Sequence, residues 1–249
     1  NYELSPEQIM VIDPCMGSGH VLVYYFDLLI EIYKSCGYEI ADAADIIVQK
    51  NLYGLDINER AYQLAYFAVM MKARFYDSLF FTKDIRPNLS SFIESRDLSL
   101  NYVKDVLIQL ENADKKVLAE TIEQFLNAKD LGSLIKGINV EMLSLHLKDI
   151  VNKSTLQYNI IEEKEKLEKL LFISNILSKK YDVIVTNPPY LGSSRFDSIL
   201  LDYSRVQCPW TKSDLSMMMY ETSLKNLSKN DGYVAFITTN SWMCLSSFE

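Results

Sequence analysis

The chain has 249 residues, 49% of them hydrophobic, and a formal net charge of −8 at pH 7. It can fill a full domain core, and it shows neither a membrane-length apolar run nor a signal peptide, so we expect a cytoplasmic protein without a membrane role. The four cysteines lack C-x-x-C spacing and only two histidines are present. This composition argues against a zinc site and predicts reduced thiols and no metal.

The first predicted unit is a strand, a glycine-bearing loop and a helix. A short apolar run ends at Ile12 and leads into Asp13-Pro14-Cys15-Met16-Gly17-Ser18-Gly19. Gly17 and Gly19 permit a tight turn and close approach of the backbone to a ligand. Leu22 replaces the third glycine of the dinucleotide pattern, and no Gly-Lys-Ser/Thr follows, so neither a dinucleotide fingerprint nor a P-loop is present. Asp13, at the end of the strand, suits a ligand with a positive amino group.

The helix after this loop has apolar residues at helical spacing, which we expect to form its core-facing side. They are Val21, Tyr25, Leu28, Leu29 and Ile32.

A second predicted strand, Asn51 to Asp56, also ends in an acid, and Asn58 is a candidate N-cap for the next helix. That helix has Ala61, Leu64, Ala65 and Ala68 at helical spacing. In nucleotide-binding α/β folds, an acid at this position binds ribose hydroxyls. A carboxylate that only stabilises a helix start would look the same, and the two interpretations are about equally supported.

We predict a third strand at Asn88 to Ile93, followed by a long connection between Leu98 and Lys180. This connection is charged and helical in pattern, and one helical face carries Ile160, Leu167, Leu170, Leu171 and Leu177. It is too long for a simple crossover, so we interpret it as a helical insertion between the third and fourth strands. It could pack as a lid over the sheet edge or form a docking surface for a partner.

The fourth predicted strand runs directly into Asn187-Pro188-Pro189-Tyr190. The Asn187 side-chain oxygen and the Pro188 carbonyl can both accept hydrogen bonds from an exocyclic amine. The two prolines stiffen the turn and remove amide donors, and Tyr190 offers an aromatic face for a base. A proline turn after a buried strand is the simpler structural explanation.

Together, these residues resemble the S-adenosylmethionine-dependent amino-methyltransferases, specifically the N6-adenine DNA methyltransferases of γ motif order. The resemblance implies that cofactor binding involves Asp13, Pro14, Gly17, Gly19, Asp56 and Ile57. It implies that the catalytic residues are Asn187, Pro188, Pro189 and Tyr190. The acid that contacts the adenine ring of the cofactor could be Glu94 or Asp97, although neither fits the pattern well.

The same resemblance implies an α/β fold with a Rossmann-like methyltransferase sheet, represented by its first five strands. Asp214 to Leu227 is similar to the helix after the catalytic loop, and Gly232 to Thr238 to the fifth strand. We therefore predict a cofactor-binding half at 1–97, a helical insertion at 98–180 and a catalytic half at 181–249.

Four segments are similar to the large adenine methyltransferases of BREX phage-defence systems, which implies defence-system protein partners. They are Asn51–Ile57, Ala65–Arg74, Asp130–Ile135 and Ser241–Ser247. Type I modification subunits and fused restriction-modification enzymes share the catalytic motifs.

The charge of −8 does not suit a DNA-binding surface. Either the substrate is not a nucleic acid, or the part that grips DNA is missing. We favour the second explanation and expect a piece of a longer protein, whose absent recognition domain binds double-stranded DNA with a flipped adenine.

The mechanism implied by the resemblance has the target adenine outside the duplex, where Asn187 and the Pro188 carbonyl accept the N6 hydrogens and Tyr190 stacks on the ring. Two alternatives remain: N-methylation of a protein glutamine or an rRNA guanine, and a non-catalytic module that senses cofactor or base.

Overall fold

The computed structural model describes residues 5–151 and 158–243. Two compact units are present: one contains the chain up to Ser91 together with the chain from Lys180 onward, and the other runs from Phe92 to Lys179. No helix in these described ranges is both long and apolar enough to cross a bilayer.

The first unit is built on a parallel sheet of five strands in the order β3-β2-β1-β4-β5. The strands are β1 Val11–Asp13, β2 Leu52–Asp56, β3 Asn88–Ser91, β4 Tyr181–Thr186 and β5 Ser228–Phe236. The central strand β1 pairs with β2 and β4 and is buried throughout, as expected for a parallel strand covered on both faces. The predicted Rossmann-like sheet is confirmed. Its carboxyl ends share one edge, where ligands bind in open α/β sheets.

Helices connect the strands in the predicted order. The first unit contains α1 His20–Ser35, α2 Ile40–Ile46, α3 Glu59–Tyr76, α9 Ser198–Gln207 and α10 Leu215–Thr222. The second unit contains α4 Leu100–Gln109, α5 Asn112–Gln124, α6 Ala128–Leu131, α7 Glu141–Val151 and α8 Tyr158–Ser178. The predicted helical insertion between the third and fourth strands is therefore present.

The predicted core-facing side of α1 is wrong by about one residue. The buried residues of this helix are Leu22, Phe26, Leu29, Ile30 and Tyr33. Leu28 and Ile32 are 41% and 39% exposed, because α1 has apolar residues on two adjacent sides and periodicity alone does not choose between them. In α3 the buried residues are Ala65, Val69 and Ala73, whereas the predicted Leu64 is 59% exposed.

The start of α3 is as predicted, since Oδ1 of Asn58 accepts hydrogen bonds from the backbone N–H groups of Arg60 at 2.9 Å and Ala61 at 3.2 Å. Asn51, predicted to begin β2, instead ends the helical turn before it. Its buried amide donates to the carbonyls of Pro6 and Ile9 and accepts from the Tyr33 hydroxyl. Asn51 thus anchors the segment that leads into β1.

The second unit packs around α8, whose predicted face is buried at Leu167, Leu170, Leu171 and Leu177. The side chain of Ile160 is not among those described, and Cys244 to Ser247 of the last BREX-like segment also lie outside the described residues. Ser174 of α8 accepts from the Ile138 N–H at 3.0 Å and donates to the Ile138 carbonyl at 2.9 Å. The lid and docking roles of this unit stay predictions.

Candidate active site

The loop after β1 and the loop after β4 meet through a buried hydrogen bond. Thr186, the last residue of β4, donates through Oγ1 to Oδ1 of Asp13, the last residue of β1, at 2.6 Å. The backbone N–H of Cys15 donates to the same oxygen at 3.1 Å. The parallel β1–β4 pairing brings these two strand ends to the same level. The glycine-bearing loop and the Asn-Pro-Pro-Tyr turn therefore start next to each other at the same edge of the sheet.

The carboxyl group of Asp13 lies where its ionised form is destabilised by burial. Its side chain is almost completely buried, and this burial raises the pKa of Asp13 from 3.8 to about 7. The hydrogen bonds from Thr186 and Cys15 lower this pKa, and the nearby Asp56 carboxylate raises it further. A cationic group at the sheet edge would offset both the desolvation and the repulsion between the two carboxylates. The site therefore fits a ligand with an ammonium group.

The glycine-bearing loop requires glycine at Gly17 and Gly19. Their φ angles are +52° and +84°, a region that other residues rarely adopt. A Cβ on Gly19 would lie 2.9 Å from the Cα of Ala65, so the loop packs directly on α3. Pro14 lies in the turn between β1 and these glycines. The backbone is thereby held against α3 at Gly19, whereas a Cβ on Gly17 would meet no atom within 4 Å.

Asp56 fixes the other side of the loop. Its Oδ2 accepts from the Gly17 N–H at 2.9 Å, and its Oδ1 accepts from the Asn58 N–H at 2.8 Å. A carboxylate oxygen has two lone-pair positions, so both oxygens can still accept a hydroxyl from a ligand. Ile57 follows directly and is 51% exposed. These features suit a ribose beside the loop.

The Asn-Pro-Pro-Tyr turn follows directly on the last residue of β4. Pro188 is buried, whereas Asn187, Pro189 and Tyr190 are exposed. The Tyr190 hydroxyl donates to Oδ1 of Asn187 at 2.5 Å and lies 2.9 Å from the carbonyl oxygen of Ile237. Because a phenol has one proton, it donates fully to only one of these acceptors at a time. The Asn187 oxygen keeps a second lone pair for an amine.

The two acids considered for the cofactor adenine lie in the second unit and have basic partners there. Glu94 is 3.0 Å from Arg96, and Asp97 is 3.3 Å from Lys129. In the first unit, the carboxylate at the end of β3 comes from Glu59, which accepts from the Ser91 hydroxyl. Glu59 was not singled out from the sequence, in which it directly follows the Asn58 cap.

Thr186 is the other site residue that sequence reasoning missed. Its only sequence signal is its place immediately before Asn187, and its partner Asp13 is 173 residues away in the chain. Within the described ranges, no group of three or more His, Cys, Asp or Glu side chains is arranged to hold a metal ion. The arrangement combines acceptors for a cationic nucleoside with an amide and an aromatic ring for a planar amine.

Comparisons with known proteins agree with this combination. The chain is 37% identical, over 98% of its length, to the adenine-specific methyltransferase PglX of Lacticaseibacillus casei. It is 32% identical, over 99% of its length, to the adenine-specific methyltransferase BrxX of Escherichia coli O9:H4. It spans only 20% and 22% of these two relatives.

A solved structure supports the fold. The ATP-dependent Type ISP restriction-modification enzyme LlaBIII, bound to DNA, has a TM-score of 0.53 with 17% identity, and the match covers 97% of this chain and 13% of that one. The model of the family described as Eco57I restriction-modification methylase matches residues 50–249. Because this match covers most of the chain, the chain belongs to the Eco57I restriction-modification methylase family.

Proposed function

We propose that this chain is the catalytic part of a site-specific DNA methyltransferase that methylates N6 of a flipped-out adenine. Methyltransferases of this family use S-adenosylmethionine as methyl donor. The observation that carries the proposal is the Thr186–Asp13 hydrogen bond of 2.6 Å, which joins the cofactor-type loop to the Asn-Pro-Pro-Tyr turn. The family model and the names of the relatives favour a restriction-modification or BREX-type defence role. We further propose other defence proteins as partners and the cytoplasm as the site of action.

On the cofactor side, each residue has a role that matches its surroundings. Asp13 would accept a charge-assisted hydrogen bond from the amino group, and Asp56 would accept the ribose hydroxyls. Gly17 and Gly19 let the backbone approach the ligand, with Pro14 and Ile57 flanking it. The bound cofactor supplies an electrophilic methyl group, so the protein itself needs no covalent nucleophile.

On the base side, Asn187 and the Pro188 carbonyl would accept the two N6 hydrogens of adenine. This shifts electron density onto N6 and directs its lone pair at the methyl group. A bond from N6 to the methyl carbon would form as the bond from that carbon to sulfur breaks, and the surplus N6 proton would leave to solvent because an amide oxygen is too weak a base to keep it. Tyr190, 46% exposed, would stack on the extruded ring.

The net charge of −8 indicates that most phosphate contacts come from outside these 249 residues. The test therefore uses the complete protein, tritiated S-adenosylmethionine and host DNA, with mass spectrometry to identify N6-methyladenine. Asn187→Ala should reduce transfer by roughly a hundredfold or more, comparable to the loss of one transition-state hydrogen bond, and leave cofactor affinity unchanged. Asn101→Ala, at an exposed position on α4, is the control.

The products also separate the alternatives. Methylated glutamine or guanine would assign the protein to another N-methyltransferase class. Cofactor binding without methyl transfer to any of these acceptors would favour the sensing module. Normal adenine methylation by Asn187→Ala would refute the role given to the Asn-Pro-Pro-Tyr turn.

A further inference from the structure

The segment between Tyr190 and α10 leaves the sheet edge and returns to it. An antiparallel bridge pairs Gly192 with Asp214. The Ser193 N–H donates to the Ser213 carbonyl at 2.9 Å, and the Leu215 N–H donates to the Leu191 carbonyl at 2.9 Å. These bonds close the base of the excursion immediately after the Asn-Pro-Pro-Tyr turn. We call residues 191–215 the clipped excursion.

The far end of the clipped excursion is a short turn held on both sides. Cys208, which is 2% exposed, lies with its Sγ 3.8 Å from Oγ1 of Thr222. Thr211 donates through its hydroxyl to Glu221, and its N–H donates to the Cys208 carbonyl at 3.2 Å. Pro209 and Trp210 lie between these two anchors. The turn is therefore fixed on α10, while the side chain between the anchors projects outward.

That side chain is Trp210, which is 78% exposed and is the most exposed large hydrophobic residue in the part of the chain that the structure describes. A single exposed hydrophobic residue is ordinary on a protein surface. Trp210 is informative here because its turn is anchored on α10 and because exposed cations lie on the same excursion.

Basic side chains accompany Trp210 on the clipped excursion. Arg195 and Lys212 are exposed and have no carboxylate within ion-pair distance in the described ranges, and Arg205 has only a loose pair with Asp202 at 3.7 Å. Two of the acids in this segment act as helix caps: Asp197 accepts from Leu200 N–H and Asp214 from Met217 N–H. The excursion carries three basic and three acidic side chains, so its net charge is zero in a chain of net charge −8, and Lys212 lies two residues after Trp210.

We propose that the clipped excursion is a DNA-contacting element, in which Trp210 stacks on a base next to the extruded adenine and Arg195 and Lys212 contact phosphates. The inference rests on the proposed function and deepens it. An exposed ring combined with unpaired cations is the chemistry that binds unstacked nucleic acid. This element directly follows Tyr190 in the chain, and the hydrogen bonds at its base hold it next to the Asn-Pro-Pro-Tyr turn. The duplex must open near that turn if the base is to reach Asn187.

The test measures DNA binding by the complete protein with a fluorescein-labelled duplex from the host genome, and base extrusion with 2-aminopurine at the target adenine. Trp210→Ala should weaken binding about tenfold and reduce the 2-aminopurine signal, and Trp210→Phe should restore most of both. The salt dependence of DNA affinity in Trp210→Ala should match that of the wild type, because no charge is removed. Lys212→Ala should instead lower the slope of log affinity against log salt by about one. Phe67→Ala, at a 64% exposed position on α3, is the control.

Normal DNA binding and a normal 2-aminopurine signal in Trp210→Ala, with an active wild-type enzyme, would overturn the inference while the proposed function stands. Equal losses of thermal stability and cofactor affinity would also overturn it, because they would assign Trp210 a structural role. If Trp210→Ala instead lost only a protein partner, the surface would be a protein interface. If the wild-type enzyme transfers no methyl group, the proposed function itself is wrong, and this outcome is distinct from failure of the inference about Trp210.

Discussion

The two loops that meet at the sheet edge are held in opposite ways. The loop after β1 is fixed by packing: Asp13 is 1% exposed, and Gly19 contacts α3 too closely for any side chain. The loop after β4 is exposed, and Asn187 and Tyr190 are positioned by hydrogen bonds to each other and to Ile237. Changes in the first loop should affect stability and cofactor binding together. Changes in the second should affect base binding and the chemical step and leave cofactor binding unchanged.

The largest effect should come from Gly19→Ala, with Gly37→Ala as its matched control. Both glycines have positive φ, +84° and +82°, but a Cβ on Gly37 has nothing within 4 Å, whereas one on Gly19 meets Ala65 at 2.9 Å. Gly37→Ala should lower the free energy of unfolding by about 1–2 kcal/mol from backbone strain. Gly19→Ala should add overpacking of about 1–3 kcal/mol and abolish cofactor binding.

Denaturant unfolding and calorimetric titration with S-adenosylmethionine measure both quantities. Equal free energies of unfolding for the two variants would show that the loop can move away from α3, which contradicts the packed description of the first loop.

Asp13→Asn should change stability and cofactor affinity in opposite directions. The folded-state pKa is raised from 3.8 to about 7, so the ionised carboxylate destabilises the fold increasingly between about pH 4 and pH 7, and fully above that range. At pH 8 the variant should therefore unfold at higher denaturant than the wild type. Its cofactor affinity should fall by about 1.5–3 kcal/mol, because a charge-assisted hydrogen bond is lost. A variant that is less stable and binds normally would contradict both expectations.

The pH dependence of cofactor affinity should follow the ionisation of the Asp13 carboxyl group. An ammonium ligand prefers ionised Asp13, so affinity should rise as pH increases through about 7, by up to about tenfold per pH unit below that value, with proton release on binding. Titration between pH 6 and 8 in buffers of different ionisation heat measures affinity and proton release. Asp13→Asn should remove the dependence. If it persists in the variant, another group titrates.

Sequence reasoning predicted the parts of the site that are local in the chain. Gly17 and Gly19 are needed because of their own φ angles, and Asn58 caps its own helix. The strands along the chain could also be recognised, because motifs mark the ends of the first, second and fourth strands. Each of these features depends on neighbouring residues, which a single sequence contains.

What sequence reasoning missed depends on packing between distant segments. The Thr186–Asp13 bond requires the β1–β4 pairing, and the Glu59–Ser91 contact requires the placement of β3 beside β2. The wrong face of α1 has the same origin, because Leu22 and Leu28 are equally apolar and only the sheet determines which is buried.

The smallest effect should come from Tyr190→Phe, which keeps the aromatic face and removes the hydroxyl bonded to Asn187 and near Ile237. A neutral hydrogen bond contributes about 1 kcal/mol, so kcat should fall by roughly fivefold, with KM for DNA unchanged because stacking is retained. Tyr190→Ala should lower kcat further and raise KM for DNA as well, because the aromatic ring is lost. Steady-state kinetics on a duplex that carries the unmethylated target site separates the two constants, with Tyr24→Phe, 64% exposed on α1, as control. A rise in KM alone for Tyr190→Phe would mean that the hydroxyl contacts DNA, and an unchanged kcat would mean that Asn187 keeps its position without it.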